Sequence, residues 1–287
     1  MPRDAIAVIR RESERLSEVL ADTPPTAPVP TCPEWTADDL LWHLTEVHEF
    51  WSTILAEGIL HGEQAEQLED RAAPRPAVRE ELLARREAAT AALLAQLHRR
   101  TDEESAWFWY SARQDVGVIR RMQTHEATIH RVDAELTAGT PLSPIAEDLA
   151  RDGLDHVLEV MWPSGFEWIP EWARTAPVAD VEIRPDGAGQ DEGREPARRL
   201  RVSRWSGTRP RDGADFDVSV ARLLESAEST GDLPQATVTG APATLDLWAW
   251  GRSAAIAHLP AEQQDLRTSG DPVALTALGA LIDEGHD

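Results

Sequence analysis

The sequence predicts an α plus α+β protein, with a four-helix bundle over residues 1–161 and an α+β domain with short antiparallel strands over residues 162–287. Three observations predict it. Apolar residues recur at helical spacing through the first half, and proline and glycine divide that half into segments of bundle length. From about Pro177 the apolar period shortens to two.

The first helix is expected from about Arg3 to Leu20, where Ile6, Ile9, Leu16 and Leu20 recur among charges until Asp22-Thr23-Pro24-Pro25 stops the pattern. A proline-rich link, Val29 to Trp35, leads to Thr36-Ala37-Asp38-Asp39. There Thr36 can cap the next helix and Asp39 can complete a capping box. That helix runs to about Leu60. Residues His61 to Pro76 read as a charged, solvated loop. A third helix is expected from about Val78 to Arg100, with Leu82, Leu83, Ala88, Leu93, Leu94 and Leu97 inward. The aromatic run Trp107 to Tyr110 reads as a loop, and a fourth helix spans about Asp115 to Ala138, closed by Gly139 and Pro141. A connecting helix near Ile145 to Met161 and a tryptophan-rich stretch from Trp162 to Trp172 join the halves.

In the second half, strands are expected at Val178–Ile183, Leu200–Trp205, Asp215–Val218 and Gln235–Gly240. Pro185 to Pro196, rich in Gly, Asp, Glu and Pro, reads as a hairpin loop. Pro242 and Gly251 bracket a helix, and another runs from about Pro272 to Ile282.

Composition narrows the function. The 287 residues carry a formal net charge of −23, and every basic side chain is arginine. Such a surface opposes nucleic acid, whose phosphates require a basic face. No apolar run approaches the roughly 18 to 20 residues of a bilayer span, and Met1 to Ile6 lacks the apolar core of a secretory signal. A lone cysteine, Cys32, excludes an internal disulfide and suits a reducing cytoplasm. A small-molecule partner fits this chain better than a macromolecule or a membrane; the oligomeric state is unread.

The chemistry concentrates in three residues. Glu126 and His130 stand four apart on one predicted helix, separated by about 400°, so they project from one face a turn apart. His43 sits mid-helix in Leu41-Trp42-His43-Leu44. Two histidines and a glutamate form a metal set that leaves a position open for water or substrate. By spacing alone the same residues also fit a hydrogen-bonded core histidine and a surface Glu–His pair. His48 and Glu46 compete with His43. Arg131 and Asp133 read either as groups supporting the ligands or as a solvated pair.

Several stretches favour the metal set through a resemblance. Val29-Pro30-Thr31-Cys32-Pro33-Glu34-Trp35-Thr36, Asp39 to Leu44 with Val47-His48, Arg121 to Ala134, Asp152-Gly153, and Val238 to Arg252 together resemble the mycothiol-dependent maleylpyruvate isomerase family of the DinB-like superfamily. The resemblance spans nearly the whole chain. It implies a DinB-like helical bundle followed by an α+β domain similar to sterol carrier proteins. It places the family's metal ligands on His43, Glu126 and His130, and its catalytic arginine on Arg252 in Trp250-Gly251-Arg252. It further implies a divalent metal, zinc foremost, and mycothiol as a thiol cosubstrate. The implied reaction is cis–trans isomerisation: an activated thiolate adds to an electrophilic small molecule, a bond rotates, and the thiol is eliminated. An S-transferase that keeps the thioether is the close alternative, and a non-catalytic binding or regulatory module is the third. The chain departs from the compact isomerase pattern at Pro185 to Pro196 and in the tryptophan-rich stretch, which leaves its substrate open.

Overall fold

The computed structural model describes residues 4–186, 197–225, 228 and 232–283. It resolves into two compact units, Met1–Ile145 and Ala146–Asp287.

Four long helices build the first unit. Helix α1 (Ala5–Ala21) starts where the Asp4 side chain accepts from the Ala7 amide at 2.9 Å. The proline-rich link is a small hairpin rather than an irregular strap, with β1 (Pro28–Val29) antiparallel to β2 (Cys32–Thr36). It delivers Thr36 directly to the cap of α2 (Ala37–Glu57). The capping box is complete: the Asp39 amide donates to Thr36 Oγ1 at 3.3 Å, and the Thr36 amide donates to Asp39 Oδ2 at 2.9 Å. Gly58 ends this helix at φ +65°, where a side chain would be strained.

The stretch expected to be a loop holds a short helix, α3 (Gly62–Glu69), because Ala65 and Leu68 bury an i,i+3 pair that the surrounding charges conceal. Next come α4 (Arg79–His98) and, after the aromatic loop, α5 (Val116–Thr137), capped by Asp115 and closed by Gly139 at φ +64°. Helix α5 packs against α1 and α2, and α4 does the same from its own side. The apolar core gathers Leu16, Leu20, Val29, Leu40, Leu41, Leu44, Leu82 and Ala134, with Trp35 and Trp42 partly buried against it.

The second unit begins with α6 (Glu147–His156), which continues through a π turn (Val157–Met161) into α7 (Trp162–Ser164). The boundary expected at 161/162 therefore falls earlier, at 145/146. Helix α6 packs on α8 (Pro242–Ala249) of this unit, and that contact decides its membership. A five-stranded sheet follows in the order β5-β4-β3-β6-β7, formed by β3 (Arg174–Pro185), β4 (Arg198–Thr208), β5 (Asp215–Leu223), β6 (Gln235–Gly240) and β7 (Arg267–Gly270). The expectation of a purely antiparallel sheet needs correction. Strands β3 and β6 run parallel, with Val181 opposite Ala236 and Ile183 opposite Val238. Alternation marks a strand but carries no direction, so the sequence pattern cannot separate the two pairings.

Strand β7 escapes sequence reading because all four of its residues are exposed and none is apolar. Helices α9 (Ser253–Ile256) and α10 (Pro272–Asp283) complete the unit, α10 lying on the sheet. The hairpin loop predicted for Pro185 to Pro196 lies outside the described residues from 187 to 196; the strands that flank it, β3 and β4, are antiparallel neighbours.

Candidate metal centre

Helix α5 contradicts the ordinary rule for a buried helix. Every residue from Met122 to Glu135 is buried, yet this span contains Gln123, Thr124, His125, Glu126, Thr128, His130, Arg131, Asp133 and Glu135. A helix enclosed all round is expected to be apolar, and each polar group that stays must find a partner. The partners divide these side chains into two sets.

One set is structural. Arg131 Nε donates to Glu12 Oε2 at 2.7 Å, and its Nη1 donates to Glu135 Oε2 and the Ser143 carbonyl, each at 2.9 Å. This buried cation ties α5 to α1, so the solvated pair that Arg131 and Asp133 also suggested is not formed, and Arg131 bonds to none of the three candidate ligands among the described residues.

The other set forms a site. His130 Nδ1 lies 2.9 Å from Asp133 Oδ2, and the Thr31 hydroxyl donates to the other oxygen, Asp133 Oδ1, at 2.5 Å. Asp133 is thus the carboxylate that orients the imidazole and leaves Nε2 facing inward. That Nε2 stands 3.0 Å from Glu126 Oε2, and His43 Nε2, arriving from α2, is 3.8 Å from the same oxygen. One ligand atom from each of His43, Glu126 and His130 lies within 4.8 Å of the others. Tetrahedral bonds of about 2.0–2.2 Å would place donor atoms roughly 3.4 Å apart, so the observed separations straddle the spacing a small divalent ion requires.

His43 Nε2 is buried with no hydrogen-bond partner among the described residues, and Glu126 Oε2 faces the imidazoles of His43 and His130. Such an orphan costs about 1–3 kcal/mol when nothing satisfies it. An ion would satisfy that nitrogen and the carboxylate at once. The donor set therefore fits a divalent metal. Trp35 covers the site, its ring 4.6 Å from that of His43 and 6.0 Å from that of His130.

Electrostatics points the same way. Burial alone would raise the Glu126 carboxyl, but the His130 and His43 imidazoles outweigh it and hold the carboxyl well below the usual range. Burial would lower His130; Asp133 and Glu126 reverse this and push it up to about 10. Without an ion, His130 is a cation between two carboxylates. A divalent cation bound there would take the place of that proton.

Of the residues singled out by sequence, the structure brings His43, Glu126 and His130 together. Arg252 belongs to the second unit, where it is buried just before α9 and donates from Nη1 to the Trp250 carbonyl at 2.7 Å. Glu46 is exposed, and His48 is buried outside the triad. Sequence reading missed Thr31 and Trp35 as parts of the site, since only the β1–β2 hairpin brings them there.

Residues 6–135 match the family model described as the mycothiol maleylpyruvate isomerase N-terminal domain. The chain resembles the crystal structure of the mycothiol-dependent maleylpyruvate isomerase with TM-score 0.54 at 13% identity, covering 96% of each chain. A structure of a mutant of that enzyme gives TM-score 0.52 at the same identity and coverage. No curated protein matches the sequence. The N-terminal unit belongs to the mycothiol maleylpyruvate isomerase N-terminal domain family, and the chain shares the fold of the mycothiol-dependent enzyme.

Proposed function

We propose that this protein is a metal- and thiol-dependent enzyme of the maleylpyruvate isomerase kind, with His43, Glu126 and His130 as ligands of a divalent ion, zinc foremost, and mycothiol as cosubstrate. One observation carries the reading: His43, Glu126 and His130 turn one buried donor atom each toward a common point, within a spacing that suits an ion. The resemblance to the family supports it, as does the match over residues 6–135. We further assign the first unit to the DinB-like four-helix bundles and the second to the sterol-carrier-protein-like α+β domains.

A divalent ion bound there supplies a Lewis acid that keeps a thiol in its thiolate form near neutral pH. The protein's own groups set the conditions for it. Asp133, held by Thr31, fixes the His130 tautomer and so the direction of its inner lone pair. Glu126 contributes a negative charge that offsets part of the ion's charge. Trp35 shields the two imidazoles from solvent and lowers the local dielectric. Arg252 is the proposed catalytic arginine, since a guanidinium matches the planar carboxylate of an acidic electrophile and stabilises enolate charge.

The test combines metal analysis with product analysis. Purified protein should hold a divalent ion that His43→Ala loses. Incubation with mycothiol and an electrophile such as maleylpyruvate should return the free thiol with an isomerised product. A stable thioether would identify an S-transferase instead, and protein without metal or turnover would leave only a binding module.

A further inference from the structure

His48 is fully buried on α2, five residues beyond His43, and takes no part in the triad. Its surroundings determine which ring nitrogen carries the proton. Arg86, equally buried, donates from Nη1 to the Leu44 carbonyl at 2.5 Å and from Nη2 to His48 Nδ1 at 2.6 Å, and it also donates to Thr90 Oγ1. A guanidinium has donors only, so His48 Nδ1 must accept and carries no hydrogen. Burial, and then the charge of Arg86, push the His48 pKa well below its usual value, so the ring is neutral. Its single proton therefore sits on Nε2.

Two consequences follow. A protonated Nε2 has no lone pair for a metal, which removes His48 as a rival to His43. The same N–H is buried and meets no partner among the described residues, while the ring feels the charges of Glu126, His130 and His43. A second donor shares this condition. Gln123 has no exposed surface, both polar atoms of its amide lack partners among the described residues, and it lies on the His130 face of α5.

Resting on the function proposed above, we propose that His48 Nε2–H is a substrate-contacting hydrogen-bond donor, fixed by Arg86 as its positioning residue, to the carbonyl or carboxylate oxygen conjugated with the electrophile's reacting bond. When thiolate sulfur bonds to the distal alkene carbon, the alkene π pair forms the new carbon–carbon π bond of an enolate and the carbonyl π pair moves onto that oxygen; the bond between the former alkene carbons is then single and free to rotate. The N–H stabilises the charge and keeps its own proton. Elimination then returns the pair and releases the thiolate. The unpartnered Gln123 amide is a candidate for a second donor to the same oxygen.

Long-range proton–nitrogen spectra of histidine-labelled protein test the tautomer: protonated Nε2 and bare Nδ1 are expected at His48, and the reverse overturns the proposal. Oxalate, an enolate mimic, is then titrated into the zinc-loaded protein. A downfield move of the His48 Nε2–H resonance is expected; a resonance left in place overturns the proposal even if a variant fails to fold. In kinetics, His48→Met should lower kcat by about 10²–10³-fold, the loss expected for one oxyanion donor, with KM and zinc content near parental. His48→Gln, which restores an N–H near the same place, should recover part of the loss. Parental kcat in folded His48→Met would assign the residue to structure alone. Zinc content separates the two readings: absence of zinc defeats the proposed function, whereas bound zinc with an unmoved His48 defeats only this inference.

Discussion

Asp133→Asn is the sharpest perturbation of the centre that leaves its three proposed ligands in place. Asp133 is fully buried, and the donors it serves include His130 Nδ1 at Oδ2 and the Thr31 hydroxyl at Oδ1. An asparagine offers one oxygen where the aspartate offers two, so one donor faces an NH₂ group. If the oxygen stays with Thr31, His130 loses the contact that fixes its tautomer. If it turns to His130, Thr31 is left unpaired and the hairpin loosens. Removing such a supporting carboxylate costs roughly 10–100-fold in metal affinity, about 1.4–2.8 kcal/mol. The unpaired buried donor adds roughly 1–3 kcal/mol to the loss of folding stability. Competition of the protein with a fluorescent zinc chelator measures the first effect, and urea unfolding of the metal-free protein measures the second. In the same variant the His130 pKa should fall from about 10, because one of the two carboxylates that raise it has lost its charge. A folded Asp133→Asn protein with parental zinc affinity would refute the argument that Asp133 orients a ligand.

Two further outcomes are expected away from the ligands. Gly153→Ala would drive a Cβ into the Asp246 carboxylate in the α6–α8 contact, so the second unit should lose roughly 1–3 kcal/mol; an unchanged urea midpoint contradicts this. Burial would raise Glu135, but Arg15, Ser143 and Arg131 together hold it below its usual value. Its folded pKa is therefore the lower one, and its contribution is present above the unfolded value and is lost as pH falls through the folded value. Glu135→Gln should lower stability at pH 7 and flatten the acid limb of the stability curve; an acid limb as steep as the parent's would show that the network does not act this way.

The helices were legible because their signals are local. Thr36 and Asp39 announce a capping box, Asp115 and Gly139 bracket α5, and the apolar residues of α1 keep a helical period. Strand direction was not legible, since the residues that pair β3 with β6 look the same in a parallel or an antiparallel neighbour. Strand β7 gave no apolar signal at all. At the candidate site, the Glu126–His130 spacing was readable on one helix, but the approach of His43 is tertiary and needed either the structure or a resemblance. The roles of Thr31 and Trp35 depend on a hairpin that proline-rich text disguised as a link. His48 shows the limit most clearly. Its position on α2 made it a rival ligand, and only the approach of Arg86 from α4 reveals which nitrogen holds the proton.

The central claim is that His43, Glu126 and His130 bind a divalent ion, and elemental analysis of the purified protein tests it most directly. The account predicts an ion in stoichiometric amount in the parent, its loss in His43→Ala, and retention of the fold by circular dichroism in both. A parent protein free of divalent metal after zinc loading, or a His43→Ala variant that keeps a full complement, would contradict it.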